Sequence, residues 1–273
     1  MKKIMIYCTH NSMRGLQAMK QYSVQERRDK ILSLLSENGR VYVNQLSEIF
    51  EVSSVVIRAD LAELEKLDLL SRVHGGAITS YKSYRDMTLL QRSNTNLKEK
   101  NDIATKVLEL VKNHDTLIMN AGTTTLFILR ALWERNITIV TNSIALALEG
   151  AKNPNFKIIL LGGDVDADYQ FTYGTAALKE LERYNANLLI MSVDGVDIKD
   201  GISTFYYHEA ELCQKMICQS SKVLVAADYS KIGRTAFSKI ENLGAIDTLI
   251  TNDKASEKYL DSIRAQGIEV ITA

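Results

Sequence analysis

An excess of either charge is missing from this sequence: 33 Lys and Arg are matched by 33 Asp and Glu. No global positive field draws the chain to nucleic acid, so any such role must rest on local geometry. The stretch from Lys20 to Ser80 is no exception. Its bases (Lys20, Arg27, Arg28, Lys30, Arg40, Arg58, Lys66, Arg72) are slightly outnumbered by its acids. Cysteine is scarce as well. Cys8, Cys213 and Cys218 form an odd, scattered set, which excludes a disulfide framework and fits a reducing cytosol. No Cys or His neighbours Cys213 and Cys218 at zinc-site spacing, and His10, His74, His114 and His208 are dispersed, so no metal is expected. No apolar run reaches the ~20 residues of a membrane span. The start, MKKIMIYCTH, has too short an apolar core for a signal peptide. The expectation is a cytoplasmic chain without a membrane partner.

What is present is a length of 273 residues with 46% apolar and 24% charged content, enough for a small module and a larger second domain. Residues 1–19 show no sustained period and are read as a flexible tail or a start-site artefact, since Met19 opens a second plausible start. From Val24 to Glu37, Ile31, Leu32, Leu34 and Leu35 share a helical face, and Ser23 with Glu26 forms a capping box. Arg40 to Val43 is short and β-prone. Asn44 to Phe50 reads as a helix with Leu46, Ile49 and Phe50 inward. Glu51-Val52-Ser53 is then a turn, with Ser53 or Ser54 capping a third helix that carries Val56, Ile57, Leu61 and Leu64. Leu69 to Ser80 makes a hairpin tipped by Gly75-Gly76. That order is the layout of a winged helix-turn-helix over residues 20–80, whose third helix enters the DNA major groove. Arg27, Ser53, Ser54, Arg58, Arg72, His74 and Gly75 are its candidate DNA contacts. Residues 81–96 read as a linker ending in a short helix.

From Leu97 to Ala273 helical segments alternate with the runs TLIMN, ITIVTN, KIILLGG, NLLIMSVDG, KVLVAAD, TLITN and IEVITA. The alternation predicts βαβ units on a mainly parallel sheet, with ligands at the carboxyl ends of the strands. Those ends hold the candidate site residues. Asn120 to Thr125 places glycine and hydroxyls at a helix start, a phosphate-seeking arrangement that exceeds what capping needs. Thr141-Asn142-Ser143 repeats the pattern, and Gly162-Gly163 offers backbone that a ligand can approach. Asp194 supplies a carboxylate for sugar hydroxyls. Lys231, in ADYSKIG, suits a phosphate or a sugar oxygen. Glu209 is read equally as a polyol-binding acid or as a dipole-favoured residue at a helix start.

The blocks ERRDKILSLL, VSSVVIRADLAELEKLDLLSRVHGGAI, NAGTTT, TNS, LGGDV, SVDG, HEAE, ADYSKIG and IDTLIT, in this order, resemble the DeoR family of transcriptional repressors over residues 20–273. The resemblance implies a winged helix-turn-helix followed by a Rossmann-like α/β sensor similar to ribose-5-phosphate isomerase and glucosamine-6-phosphate deaminase folds. It implies operator DNA and a phosphorylated sugar, polyol or amino sugar as partners, and a homo-oligomer, dimer or tetramer. It places effector contacts at Gly122, Thr123, Thr124, Asn142, Gly162, Gly163, Asp194, Glu209 and Lys231, with no catalytic residue and no cofactor. Two departures stand out. Val56 and Ala59 occupy positions where the family usually has Thr and Arg, and Asn120-Ala121 stands for the familiar Asp-Ser. Two other readings remain open at this stage. One is a sugar-phosphate isomerase-like enzyme using Asp194, Glu209 and Lys231. The other is a regulator with weakened DNA contacts acting through mixed oligomers.

Overall fold

The computed structural model describes residues 22–38, 40–67, 69–73, 75–79 and 87–273. The expected tail at 1–19, the first part of the expected linker and His74 lie outside the described residues. The N-terminal elements are α1 (Val24–Asn38), β1 (Arg40–Tyr42), α2 (Val43–Phe50), α3 (Ser54–Lys66), β2 (Leu70–Val73) and β3 (Gly76–Thr79). The Ser23 Oγ accepts from the Glu26 N–H at 3.2 Å, and Glu26 Oε2 accepts from the Ser23 N–H at 2.9 Å, closing the expected capping box. β3 lies antiparallel between β1 and β2, so the short run after α1 does pair with the wing. At the wing tip Gly75 takes φ +76°, and a Cβ on Gly76 would sit 2.0 Å from the Val41 carbonyl oxygen.

Ile31, Leu46, Ile57, Leu61 and Leu70 are fully buried in this small core. Each contributes about 1.5–3 kcal/mol through apolar burial. One inward assignment, Ile49, fails. The core takes Val43, Leu46 and Phe50 from α2, which leaves Ile49 to one side and 50% exposed. In α3 it takes Ile57, Leu61 and Leu64, which turns Val56 outward.

After a short helix α4 (Leu89–Ser93) come α5 (Leu97–Leu110), β4 (Thr116–Met119), α6 (Thr123–Ala131), β5 (Ile137–Thr141), α7 (Ile144–Gly150) and β6 (Phe156–Leu160). The hairpin β7 (Asp164–Asp166) and β8 (Phe171–Tyr173) leads to α8 (Thr175–Leu181), β9 (Leu188–Met191), β10 (Gly195–Asp197) and β11 (Gly201–Thr204). The remainder is α9 (Tyr207–Cys218), β12 (Val223–Ala226), β13 (Ser238–Glu241), β14 (Thr248–Thr251), α10 (Glu257–Arg264) and β15 (Glu269–Thr272). The seven apolar runs form one sheet in the order β15-β14-β12-β9-β4-β5-β6, parallel at every pairing. One face packs on Ile103, Val107, Leu126 and Leu146, and the other on Leu181, Leu212, Met216 and Leu260. Burial on both faces is why these strands read as unbroken apolar runs. The chain winds outward from β4 toward β6, then returns to β9 and winds the other way. The topological switch point therefore lies between the ends of β4 and β9.

Arg27, expected as a DNA contact, is instead buried inside the module. Its Nε donates to Asp60 Oδ2 at 2.5 Å, Arg28 Nε donates to Asp60 Oδ1 at 3.0 Å, and Arg27 and Asp60 are 7% and 3% exposed. The pair fastens α1 to α3. Asp60→Ala would strand the Arg27 charge and is expected to cost the N-terminal module about 3–5 kcal/mol. Urea unfolding would then show a separate early transition; superposition on the parent curve would mean that the clamp holds nothing.

Candidate functional site

A cavity of about 50 Å³ opens at the switch point. Ala121, Gly122, Thr123 and Thr124 line it from the β4–α6 loop, and Ser192, Val193 and Asp194 from the end of β9. The first N–H groups of α6 have no partner within the helix, so this wall offers donors and the positive end of a helix dipole to an anion. The approach is tight: a Cβ on Gly122 would lie 1.9 Å from Ser192 Oγ. The third threonine is structural. Thr125 is fully buried, and its hydroxyl, 2.9 Å from both carbonyl oxygens, donates back to Asn120 or Gly122. Asn120 ties the two strand ends together, its amide donating to the Ser192 carbonyl and accepting from the Ser192 N–H, both at 2.9 Å. An aspartate there would keep the acceptor and lose the donor.

The opposite wall is ionic. Asp194 Oδ2 accepts from the Thr204 hydroxyl and from the Phe205 N–H, both at 3.1 Å, while Arg92 Nη1 donates to Oδ1 at 3.5 Å. Glu209 Oε2 lies 2.7 Å from the same Thr204 hydroxyl. That hydroxyl has one proton for two carboxylates. Burial and the Asp194 charge push Glu209 up to about 8, so at neutral pH it carries a proton and can serve as a donor. Burial brings Lys231 down to about 8, against the pull of Asp228 and Asp194. Lys231 sits on the turn Tyr229–Lys231, which is capped by Asp228 Oδ1 accepting from the Ser230 N–H at 2.9 Å. Burial raises Asp228, but Lys231, Lys100 and Ser230 outweigh it and hold the carboxyl below its ordinary range.

Gly122, Thr123, Thr124, Asp194, Glu209 and Lys231 thus share one cavity wall or another. Asn142, Gly162 and Gly163 do not line it. Asn142 is fully buried behind the β4–α6 loop, accepting from the Ala121 N–H at 3.0 Å and donating to the Thr172 carbonyl at 3.3 Å. The diglycine starts the β7–β8 hairpin. Gly163 has φ +132°, and a Cβ there would meet the Tyr173 carbonyl oxygen at 2.3 Å, so this glycine serves backbone crossing, not a ligand. The hairpin instead delivers Tyr169 and Phe171 to the cavity. Sequence reading also missed Arg92, Thr204 and Tyr206. Arg92 comes from α4, inside the expected linker, and is buried with its guanidinium 4.9 Å from the Tyr169 ring centroid and 5.6 Å from that of Phe205.

In the N-terminal module Ser53 caps α3, its Oγ accepting from the Val56 N–H at 3.4 Å, and Ser54 is the first helical residue. Arg58 is exposed. Arg72, on the wing, is exposed but engaged, its Nε donating to Glu65 Oε2 at 2.6 Å. Gly75 is at the tip, where its carbonyl accepts from the Val43 N–H at 2.9 Å.

Residues 27–82 match the DeoR-like helix-turn-helix domain, and residues 95–253 match the DeoR C terminal sensor domain. The chain belongs to the DeoR family of transcriptional regulators. The uncharacterized HTH-type transcriptional regulator YulB of Bacillus subtilis (strain 168) is 34% identical over 87% of this chain and 93% of its own. The glycerol-3-phosphate regulon repressor of Escherichia coli (strain K12) is 32% identical over 83% of this chain and 90% of its own. Among solved structures, ribose 5-phosphate isomerase from Plasmodium falciparum is similar at 16% identity and TM-score 0.37, covering 49% of this chain and 52% of that one. As a DeoR-family regulator, the chain carries its DNA-facing helix and its cavity on separate hydrophobic cores.

Glu209 gives the cavity a pH signature. The folded state keeps a proton that the unfolded chain sheds above 4.5, so stability falls as pH rises from 4.5 to about 8. Lys231 acts oppositely above about 8, where the folded state releases its proton before the unfolded chain does at 10.5. Glu209→Gln is expected to flatten the fall in melting temperature between pH 4.5 and 8. An unchanged slope would show that Glu209 ionises normally.

Proposed function

We propose that this regulator represses a carbohydrate-utilisation operon and is released from, or re-set on, double-stranded operator DNA by a phosphorylated sugar, polyol or amino sugar bound at the switch point. The observation that carries this reading is the composition of the cavity. One wall is a helix start whose first N–H groups have no partner within the helix. Facing it are carboxyl and hydroxyl groups suited to a polyol: Asp194, Glu209, Thr204 and Tyr206. The buried cations Lys231 and Arg92 line the same cavity, and N–H donors and cations beside hydrogen-bonding oxygens are what a phosphorylated polyol needs. The acids and Lys231 would also suit proton transfer, but the relatives are named as regulators, and the binding reading is retained.

The cavity is far smaller than the ~300–1,000 Å³ of a ligand-sized pocket, so admitting a sugar phosphate requires a wall to move. The wall least tied to the sheet is α4, a five-residue helix on the connection between the DNA-facing module and the sensor. Its Arg92 is held by Asp194, and its C-terminal end is held by Lys100 Nζ donating to the Arg92 and Thr95 carbonyls at 2.5 Å. A phosphate that attracts Arg92 competes with Asp194 and shifts α4. That shift re-sets the spacing of the two α3 helices in a homo-oligomer, a dimer or tetramer. A second route runs through the Tyr229–Lys231 turn. Lys231 faces the cavity, while Tyr229 lines a separate space with Tyr42, Gln45 and Ile49 of the DNA-facing module.

A thermal-shift screen of phosphorylated sugars and polyols should find a compound that raises the melting temperature and releases operator in gel shifts. Lys231→Ala should weaken that ligand about 10–100-fold while leaving DNA affinity near the parent value. Arg92→Ala should break the link, so that DNA affinity no longer depends on the ligand. Equal loss of ligand response and DNA affinity in Lys231→Ala would sink the proposal.

A further inference from the structure

The outward face of α3 is unusual for a helix that must recognise polar base edges. Its buried stripe is Ile57, Asp60, Leu61 and Leu64. At about 100° per residue the opposite arc runs through Arg58, Val55, Ala59 and Val56 in its first two turns. Val55 is 71% exposed and Val56 36% exposed, and Ala59 is exposed between them. These are the turns that a recognition helix presents to the major groove. None of the three aliphatic side chains can donate or accept a hydrogen bond.

The cations around this face are largely occupied. Arg27 and Arg28 hold Asp60, Arg72 holds Glu65, and Lys66 donates to Glu63 Oε1 at 2.6 Å. Arg58 is the exposed cation left on the first two turns of α3. A surface of small aliphatic groups beside one arginine matches one pattern among the base edges of the major groove. Thymine alone presents a C5-methyl there, and Ala-sized apolar groups contact it, while arginine pairs with guanine O6 and N7.

We propose that α3 selects its operator through thymine methyl groups packed on Val55, Val56 and Ala59, with Arg58 supplying the polar contact. The inference rests on the DNA-binding reading and adds to it what is read. Val56 and Ala59, where the family usually has Thr and Arg, are on this view a change of recognition chemistry from hydrogen bonding to methyl packing. Two consequences separate it from a merely weakened helix. Removing a methyl from DNA, with nothing changed in the protein, lowers affinity. The salt dependence is shallow, because few phosphates are neutralised.

The test uses the full-length protein and random duplex DNA. Selection should return half-sites containing thymine. Each contacted thymine is then replaced singly by uracil, which removes the methyl and leaves every hydrogen-bonding group in place. Burying one methyl is worth about a four-fold change in affinity, and that loss is expected at one or more half-site positions. Val56→Ser, a surface change that leaves the core intact, should abolish the difference between thymine and uracil at the position beneath it. Ala59→Arg should steepen the salt dependence by about one phosphate's worth. Uracil operators binding within experimental error of thymine operators at every half-site position would overturn the proposal while leaving DNA binding intact. Recovery of no DNA from the selection would overturn both.

Discussion

A carboxylate largely withdrawn from water needs partners, and the cavity is organised by that demand at the half-buried Asp194. Its oxygens meet the Thr204 hydroxyl, the Phe205 N–H and the Arg92 guanidinium. The three donors come from the end of β11, the loop before α9 and the connector helix α4, segments that no single sheet pairing would bring together. Leaving any of them out would leave part of that charge unpaired. The same demand sets Glu209. A second negative charge beside Asp194 is disfavoured, so Glu209 holds a proton and the pair presents one acceptor and one donor acid. A cavity that needs a cation from the connector to satisfy its own carboxylate is coupled to that connector whether or not a ligand is present.

The parts legible in the sequence are those governed by local rules. Seven apolar runs became the seven strands of the parallel sheet because strands buried on both faces carry no polar alternation to blur them. The Ser23–Glu26 box, the Ser53 cap and the Gly75 turn are each fixed within a few residues. The cavity was only half legible, for a physical reason. Gly122, Thr123 and Thr124 stand out because a helix start with small hydroxyl residues is itself the binding element. Arg92 carries no such mark. A lone arginine in a polar, tyrosine-dotted stretch is indistinguishable from a solvated one until α4 folds onto Asp194. The reverse error occurred at Gly162-Gly163 and at Arg27. Gly163 answers to a backbone crossing, and the arginine is engaged by a buried aspartate 33 residues away. Both are tertiary facts with no local signature.

Net neutrality also takes on a structural meaning. The N-terminal module does not lack arginine; it uses arginine internally, at Asp60 and Glu65. A DNA-binding module built this way has a firm α1–α3 frame, and among its described residues several arginines are engaged within the module rather than offered to the phosphate backbone. Its specific contacts must then supply more of the affinity, and non-specific binding, which is almost wholly electrostatic, must be weak. The ratio of specific to non-specific affinity, the quantity that matters on a genome, can stay favourable even when absolute affinity is modest.

Modest operator affinity and a modest switch suit one another. A ligand moves a two-state equilibrium only by its differential affinity for the two states. Typical coupling energies are about 1–3 kcal/mol, or roughly 5–150-fold. On the proposed mechanism Arg92 would exchange one partly buried charge-assisted contact, with Asp194, for another with an incoming anion. Such an exchange would hardly dislodge a protein locked to DNA by ten phosphate contacts. It is sufficient for a helix whose grip is a few methyl groups and one arginine. The aliphatic face of α3 and the ionic wall of the cavity are therefore matched in strength, the first weak enough to be governed by the second.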